Sequence, residues 1–161
     1  MIFVTLGSQK FQFNRLLVAL DRLVKEGKIR DQIIAQIGYS DYLPQHFDYE
    51  RFYDREEFSI VMDKADVVIT HGGTGAIIGA VKKGKKVIAV PRLAKYGEHV
   101  DDHQIQLVEQ FKELNLIRVC LDCNTLDDIL NQTKNTTFNN YQSNTERIIK
   151  SIEEFVNKNN E

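Results

Sequence analysis

The chain has 161 residues, 42% of them apolar and 27% charged, with a net charge of −2. That is the composition of one globular domain large enough to bury a core, and its slight acidity argues against nucleic acid as the main partner. No stretch approaches the ~18–20 apolar residues of a membrane span, and the apolar run at 1–6 is shorter than a signal-peptide core, so a cytoplasmic chain is expected.

Residues 2–6 read as a buried strand that ends in Gly7-Ser8. Leu16, Leu17, Leu20, Leu23 and Val24 then form a stripe of helical period that stops at Gly27. Residues 33–37 are a second strand closing on Gly38, and a polar and aromatic link with Pro44 and His46 follows. Residues 51–53 are a short third strand, and Glu56 and Glu57 place acids in the first turn of a helix reaching Lys64. Residues 67–70 are β-branched throughout and read as a strand covered on both faces, as in a parallel sheet. After the turn His71-Gly72-Gly73-Thr74-Gly75, a helix is expected from Ala76 to near Gly84.

Lys82, Lys83, Lys85 and Lys86 crowd the end of that helix, where the dipole favours cations. A solvated end is the first reading of this run, and an acidic membrane surface a second. Residues 87–90 are another buried strand, ended by Pro91. A polar loop, 92–102, leads to a helix with Ile105, Val108, Phe111 and Leu114 inward. Residues 116–121 are the last strand, 126–132 a short helix, and about 141–158 a closing amphipathic helix carrying Ile148, Ile149, Ile152, Phe155 and Val156. The alternation specifies an α/β fold: a doubly wound, Rossmann-like parallel sheet of about six strands in a single domain, 1–161.

Cysteine use adds one motif, Cys120-Leu-Asp-Cys123. A redox-active CxxC should open a helix after a strand. Cys120 instead continues the apolar run 116–119, so it reads as a packed strand residue without special chemistry.

In a sheet of this kind the ligand sits at the carboxyl ends of the strands, where the strand order reverses. That rim collects Gly7-Ser8, Gly38, His71 to Gly75 and the loop after Pro91. A strand running through glycines into a helix leaves N–H groups facing open space, a site for phosphate; the plainer reading is a tight βα turn. The dinucleotide fingerprint GxGxxG and the Walker A motif are both absent, so nicotinamide binding and nucleoside triphosphate hydrolysis are poorly supported. The loop Lys95-Tyr96-Gly97-Glu98-His99-Val100-Asp101-Asp102-His103-Gln104 is dense in groups that bond sugar hydroxyls. Asp101 with Gln104 also fits a capping box for the next helix. His99 and His103 have the spacing of paired zinc ligands but lack the glutamate of HExxH, so a metal is not expected.

These motifs resemble glycosyltransferase family 28, the C-terminal, donor-binding half of the two-domain GT-B glycosyltransferases that act on lipid-linked acceptors. The resemblance runs from Phe3 through the helix after Gln104. Its specific parts are Thr70-His71-Gly72-Gly73-Thr74-Gly75 and Pro91-Arg92 with Gly97 to Gln104. The members most similar are small separate subunits, of bacterial capsular and exopolysaccharide synthesis and of the dolichol-linked GlcNAc transferase.

The resemblance implies a UDP-sugar donor and no metal or other cofactor. Gly7, Ser8, His71, Gly72, Gly73, Thr74 and Gly75 would hold the diphosphate. Arg92, Glu98, Asp101, Asp102, His103 and Gln104 would contact the donor, with uracil near Tyr53 to Arg55. Where many relatives carry a ribose-binding Glu, this chain has Gly79. The resemblance also implies a membrane-anchored partner subunit that brings a lipid-linked glycan acceptor and supplies the catalytic base, unless His99 or His103 does so. The expected reaction is β-1,4-galactosyl transfer to glucose on undecaprenyl diphosphate at the inner membrane face. A non-catalytic UDP-sugar-binding or stabilising subunit is the alternative.

Overall fold

The computed structural model describes residues 1–143. The amphipathic helix expected at about 141–158 falls outside them, except for 141–143, which are not helical. Six parallel strands form one sheet: β1 (Ile2–Thr5), β2 (Ile33–Gln36), β3 (Asp48–Glu50), β4 (Val67–His71), β5 (Lys86–Val90) and β6 (Arg118–Val119). Their spatial order is β3-β2-β1-β4-β5-β6, so the winding reverses between β1 and β4. Thr5 stands level with Thr70 in this register. The segments leaving β1 and β4 therefore emerge side by side, which is the geometry that creates a ligand crevice in such sheets.

Among the described residues, five helices cover the sheet: α1 (Asn14–Lys25), α2 (Arg55–Lys64), α3 (Thr74–Lys82), α4 (His103–Glu113) and α5 (Leu126–Lys134). Because strand side chains alternate between faces, each strand feeds two cores. Ile2, Val4, Val67, Ile69 and Ile88 pack with Leu16, Leu17 and Leu20 of α1 and Leu126 and Leu130 of α5. Phe3, Val68, Val87 and Ala89 pack with Met62, Ile77, Ala80 and Val108 on the other side. The doubly wound α/β sheet inferred from the alternation is the fold observed.

Several boundaries differ from expectation. The third strand is Asp48–Glu50 rather than 51–53, because pairing with β2 selects a polar edge segment and Tyr53 N donates to Gln36 Oε1 at 3.0 Å. The helix after the glycine turn starts at Thr74, two residues early. Leu114 is 61% exposed rather than inward: α4 has ended, and Asn115 reverses the chain at φ 52°. The last strand is only Arg118–Val119, and Leu121 is exposed beyond it.

The lysine run is tied to the protein. Lys83 Nζ lies 2.6 Å from Asp63 Oδ1, and Lys85 Nζ donates to Asp63 O and Ala65 O at 2.7 and 2.8 Å, neutralising carbonyls at the end of α2. No helix among the described residues is long and apolar enough to cross a membrane.

Ile69 lies wholly buried in β4, one of the two strands that flank the crevice, between Val4 of β1 and Ile88 of β5. Ile69→Ala is expected to lower unfolding free energy by about 3 kcal/mol, read from urea denaturation, with an unchanged m-value.

Candidate functional site

The site is assembled around His71, the last residue of β4. Thr70 Oγ1 donates to Thr5 O at 3.0 Å, locking the ends of β1 and β4 together one residue earlier. The imidazole that follows is 9% exposed and lies between two glycine turns. A Cβ on Gly7 would come within 2.6 Å of His71 Cε1, and one on Gly73 within 2.3 Å of His71 Nε2. Gly7 also has φ +73°, a conformation that side chains resist. The ring can occupy this place only because both positions lack a side chain.

A second junction joins the loop after β5. Gln104 Oε1 accepts from Gly72 N at 3.2 Å and from Arg92 N at 3.0 Å. A Cβ at Gly72 would stand 2.7 Å from Gln104 Cβ. Gly7, Gly72, Gly73 and Gln104 thus share one rim, held by two buried side chains. Beyond it, Gly73 caps α3 with no side-chain acceptor, and Thr74 and Gly75 are exposed. The first N–H groups of a helix have no partner within it, so they and exposed Ser8 face the crevice mouth.

Burial, helped by the nearby Arg92 guanidinium, holds His71 down to about 4 from its ordinary 6.5. The ring is therefore neutral at physiological pH. It can accept or donate one hydrogen bond without adding charge to the rim.

The loop divides into an inner and an outer part. Arg92 is 1% exposed and donates to Leu6 O at 2.6 Å and Phe11 O at 3.0 Å, its guanidinium 5.2 Å from the Phe13 ring. Burial pulls Arg92 down to about 10, with Glu98 opposing. Glu98, fully buried, accepts from Arg15 Nε at 2.9 Å, Arg15 Nη2 at 3.0 Å and Leu93 N at 2.9 Å. Arg92 and Glu98 were expected to touch the donor, but both are turned inward, since buried charges hold their place only when paired or hydrogen-bonded.

Asp102 likewise fastens the loop, accepting from Ala94 N at 2.8 Å. The expected capping box does not form: Asp101 accepts from His103 N at 3.0 Å, and Gln104 turns toward the sheet. Asp101 and His103 remain exposed. His99 stacks on Phe11, ring centroids 5.0 Å apart, with Nδ1 3.2 Å from Asp101 Oδ1. Among the described residues no group of three or more His, Cys, Asp or Glu is arranged to hold a metal.

Two features escaped the sequence reading. Arg15 carried no motif, yet it anchors the loop from α1. Tyr39 and Phe52, both exposed and 5.2 Å apart, form an edge-to-face pair just beyond β2 and β3. Their position immediately after strands was the available signal.

Two outcomes follow from these contacts. Glu98→Gln leaves Arg15 and buried Arg92 without their carboxylate and is expected to cost about 3 kcal/mol of stability in denaturant unfolding. For His71, the unfolded chain binds a proton between pH 6.5 and 4 that the folded chain refuses. Its contribution is complete above 6.5 and disappears as pH falls toward 4, amounting to about 3 kcal/mol. His71→Gln should flatten the stability–pH curve in that window, measured by unfolding at stepped pH.

Comparison with known proteins shows the family and the fold. Glycosyltransferase family 28 C-terminal domain matches residues 1–159. The human UDP-N-acetylglucosamine transferase subunit ALG13 is 30% identical over 126 residues, 74% of this chain and 11% of the human protein. The Candida glabrata protein of the same name is 32% identical over 104 residues, 64% of this chain and 43% of its own length. The chain thus spans less than half the length of these curated relatives. The solution structure of ALG13 superposes with a TM-score of 0.57 at 19% identity, covering 88% of this chain and 89% of that one. The calicheamicin glycosyltransferase CalG4 gives 0.62 at 19% identity, covering 84% of this chain and 34% of its own, so the shared fold is one part of a larger enzyme. On the strength of the match over nearly its whole length, the chain belongs to the glycosyltransferase family 28 C-terminal domain family.

Proposed function

We propose that this chain is the donor-binding, catalytic subunit of a two-chain glycosyltransferase that uses a UDP-hexose. The observation that carries the reading is the convergence of Gly7, Gly73 and Gln104 on one rim at the β1/β4 reversal. The diphosphate lies at the N-terminus of α3, against Thr74, Gly75 and Ser8. As the sugar–oxygen bond breaks, negative charge collects on the departing UDP. Preorganised N–H groups and the helix dipole stabilise that charge without a metal. Neutral His71 shapes this pocket, and exposed Asp101 and His103 bond the hexose hydroxyls. Gly79 is exposed on α3 with open space around it, so the ribose takes its partner from elsewhere on the rim.

A base is needed for the acceptor hydroxyl. His99, held through Nδ1 by Asp101, is the in-chain candidate; the other source is a membrane-anchored partner subunit that also brings the lipid-linked acceptor. That relatives are named as subunits of a transferase supports the two-chain arrangement. The preferred donor is UDP-galactose, transferred β-1,4 to glucose on undecaprenyl diphosphate in capsule or exopolysaccharide synthesis at the inner membrane face. UDP-N-acetylglucosamine is the second reading, favoured by the names of the relatives.

Isothermal titration with UDP-galactose, UDP-N-acetylglucosamine and UDP-glucuronate separates the donors. Gly73→Ala, whose Cβ would strike the His71 ring, should weaken UDP-sugar binding at least about tenfold, whereas Asp101→Asn should weaken UDP-sugar more than UDP itself. Equal transfer by the partner alone and by the partner with Asp101→Asn would establish the non-catalytic subunit instead.

A further inference from the structure

On the α1 side of the loop after β5 lies an open cleft of about 610 Å³. Arg15 and Val18 of α1 line one wall, Tyr96 another, and Cys123 the floor. Cys123 is 7% exposed, and its Sγ accepts from Arg15 Nη1 at 3.3 Å. Behind it Cys120 is fully buried, its Sγ donating to Asp122 O at 3.2 Å. Both cysteines are free.

Cys120 packs in the core at the end of the strand, as its apolar run implied, and the structure adds the placement of Cys123. β6 stops at Val119, with Cys120 N still bonded to Ala89 O at 2.9 Å. Cys123 then begins a tight turn, Cys123–Thr125, that runs directly into α5. The pair therefore bridges a strand end and a helix start, the context in which two cysteines separated by two residues exchange disulfides.

We propose that Cys120 and Cys123 form a redox-active dithiol, oxidised to an intrachain disulfide by low-molecular-weight disulfides that enter the cleft, with Cys123 as the attacking sulfur. The Cys123 thiolate attacks one sulfur of the reagent, forming a mixed disulfide and releasing one thiolate, which takes up a proton. Cys120 then gives up its proton and attacks the Cys123 sulfur, expelling the second reagent half as a thiol. Two protein thiols lose two electrons and two protons, and one disulfide becomes two thiols.

The asymmetry of the pair sets the order. Cys123 borders the cleft and holds the Arg15 guanidinium at 3.3 Å, whereas Cys120 is fully enclosed. The neighbouring Cys120 and the Arg15 charge lower Cys123, and the neighbouring Cys123 with burial pushes Cys120 up. Arg15 also grips Glu98, so the sulfur chemistry adjoins the side chain that anchors the rim loop.

The test uses the reduced full chain, equilibrated with mixtures of glutathione disulfide and glutathione, quenched in acid, labelled with maleimide and weighed intact. At the oxidising end the expected product carries neither maleimide nor glutathione, and dithiothreitol restores two labelled thiols. With limiting iodoacetamide, Cys123 should react about tenfold faster than Cys120. Cys120→Ser should accumulate a glutathione adduct on Cys123. A wild-type chain that keeps two labelled thiols at the oxidising end, or that alkylates faster at Cys120, overturns the proposal. Both decisive readings come from the unsubstituted protein, so they do not depend on the variant folding.

Discussion

Everything at the rim depends on where one neutral ring sits. His71 occupies the gap between the chain reversals after β1 and β4, and it fits because Gly7 and Gly73 have no side chains to meet it. Such packing is intolerant: a single added methyl at either glycine would overlap the ring, so the ring or the backbone would have to move by about an ångström. The same constraint fixes the start of α3, because the turn through Gly72 and Gly73 has only one course around the imidazole. The direction in which the first N–H groups of α3 point is therefore a consequence of side-chain packing, not of helix propensity.

The second element is an internal charge network that gives a long polar loop a defined course. Arg92, Glu98 and Arg15 are withdrawn from solvent to different degrees, and each is paired or bonded to backbone carbonyls that the loop would otherwise leave unsatisfied. Burying ions in this way contributes little net stability compared with an apolar core. What it supplies is position. With the inner loop pinned, Gln104 can bridge Gly72 and Arg92, and Asp101 and His103 are presented outward. Charged residues in one short loop thus differ in use: Arg92 and Glu98 are enclosed and hold the loop against the body of the protein, while Asp101 and His103 stay exposed.

The same division bears on the two-chain arrangement proposed above. The glycine turn after β4, the outward acids and histidines, and the aromatic pair Tyr39–Phe52 all lie along the carboxyl edge of the sheet. The opposite edge carries the lysine cluster, tied to the end of α2. A chain with one chemically elaborate edge is suited to close against a second body there, and the proposed two-chain enzyme takes its logic from that asymmetry.

The sequence by itself determined the fold class. Near-continuous apolar strands at 2–6, 67–70 and 87–90, each separated by an amphipathic helix, leave no alternative to a parallel sheet covered on both faces. It also located the glycine turn after β4 and the polar loop after β5, because strand ends and glycines are local signals. It could not locate the edge strand, since Asp48–Glu50 owes its conformation to hydrogen bonds with β2 and not to its own residues. Nor could it divide the loop: Glu98 and Asp101 look equivalent as letters, and only the approach of Arg15 from α1, 83 positions away, draws one carboxylate inward while the other stays exposed. The cysteines show the same boundary between the two kinds of information. Their spacing is written in the chain, but their character depends on where β6 ends and on a guanidinium contributed from a distant helix, relations that exist only once the chain has folded.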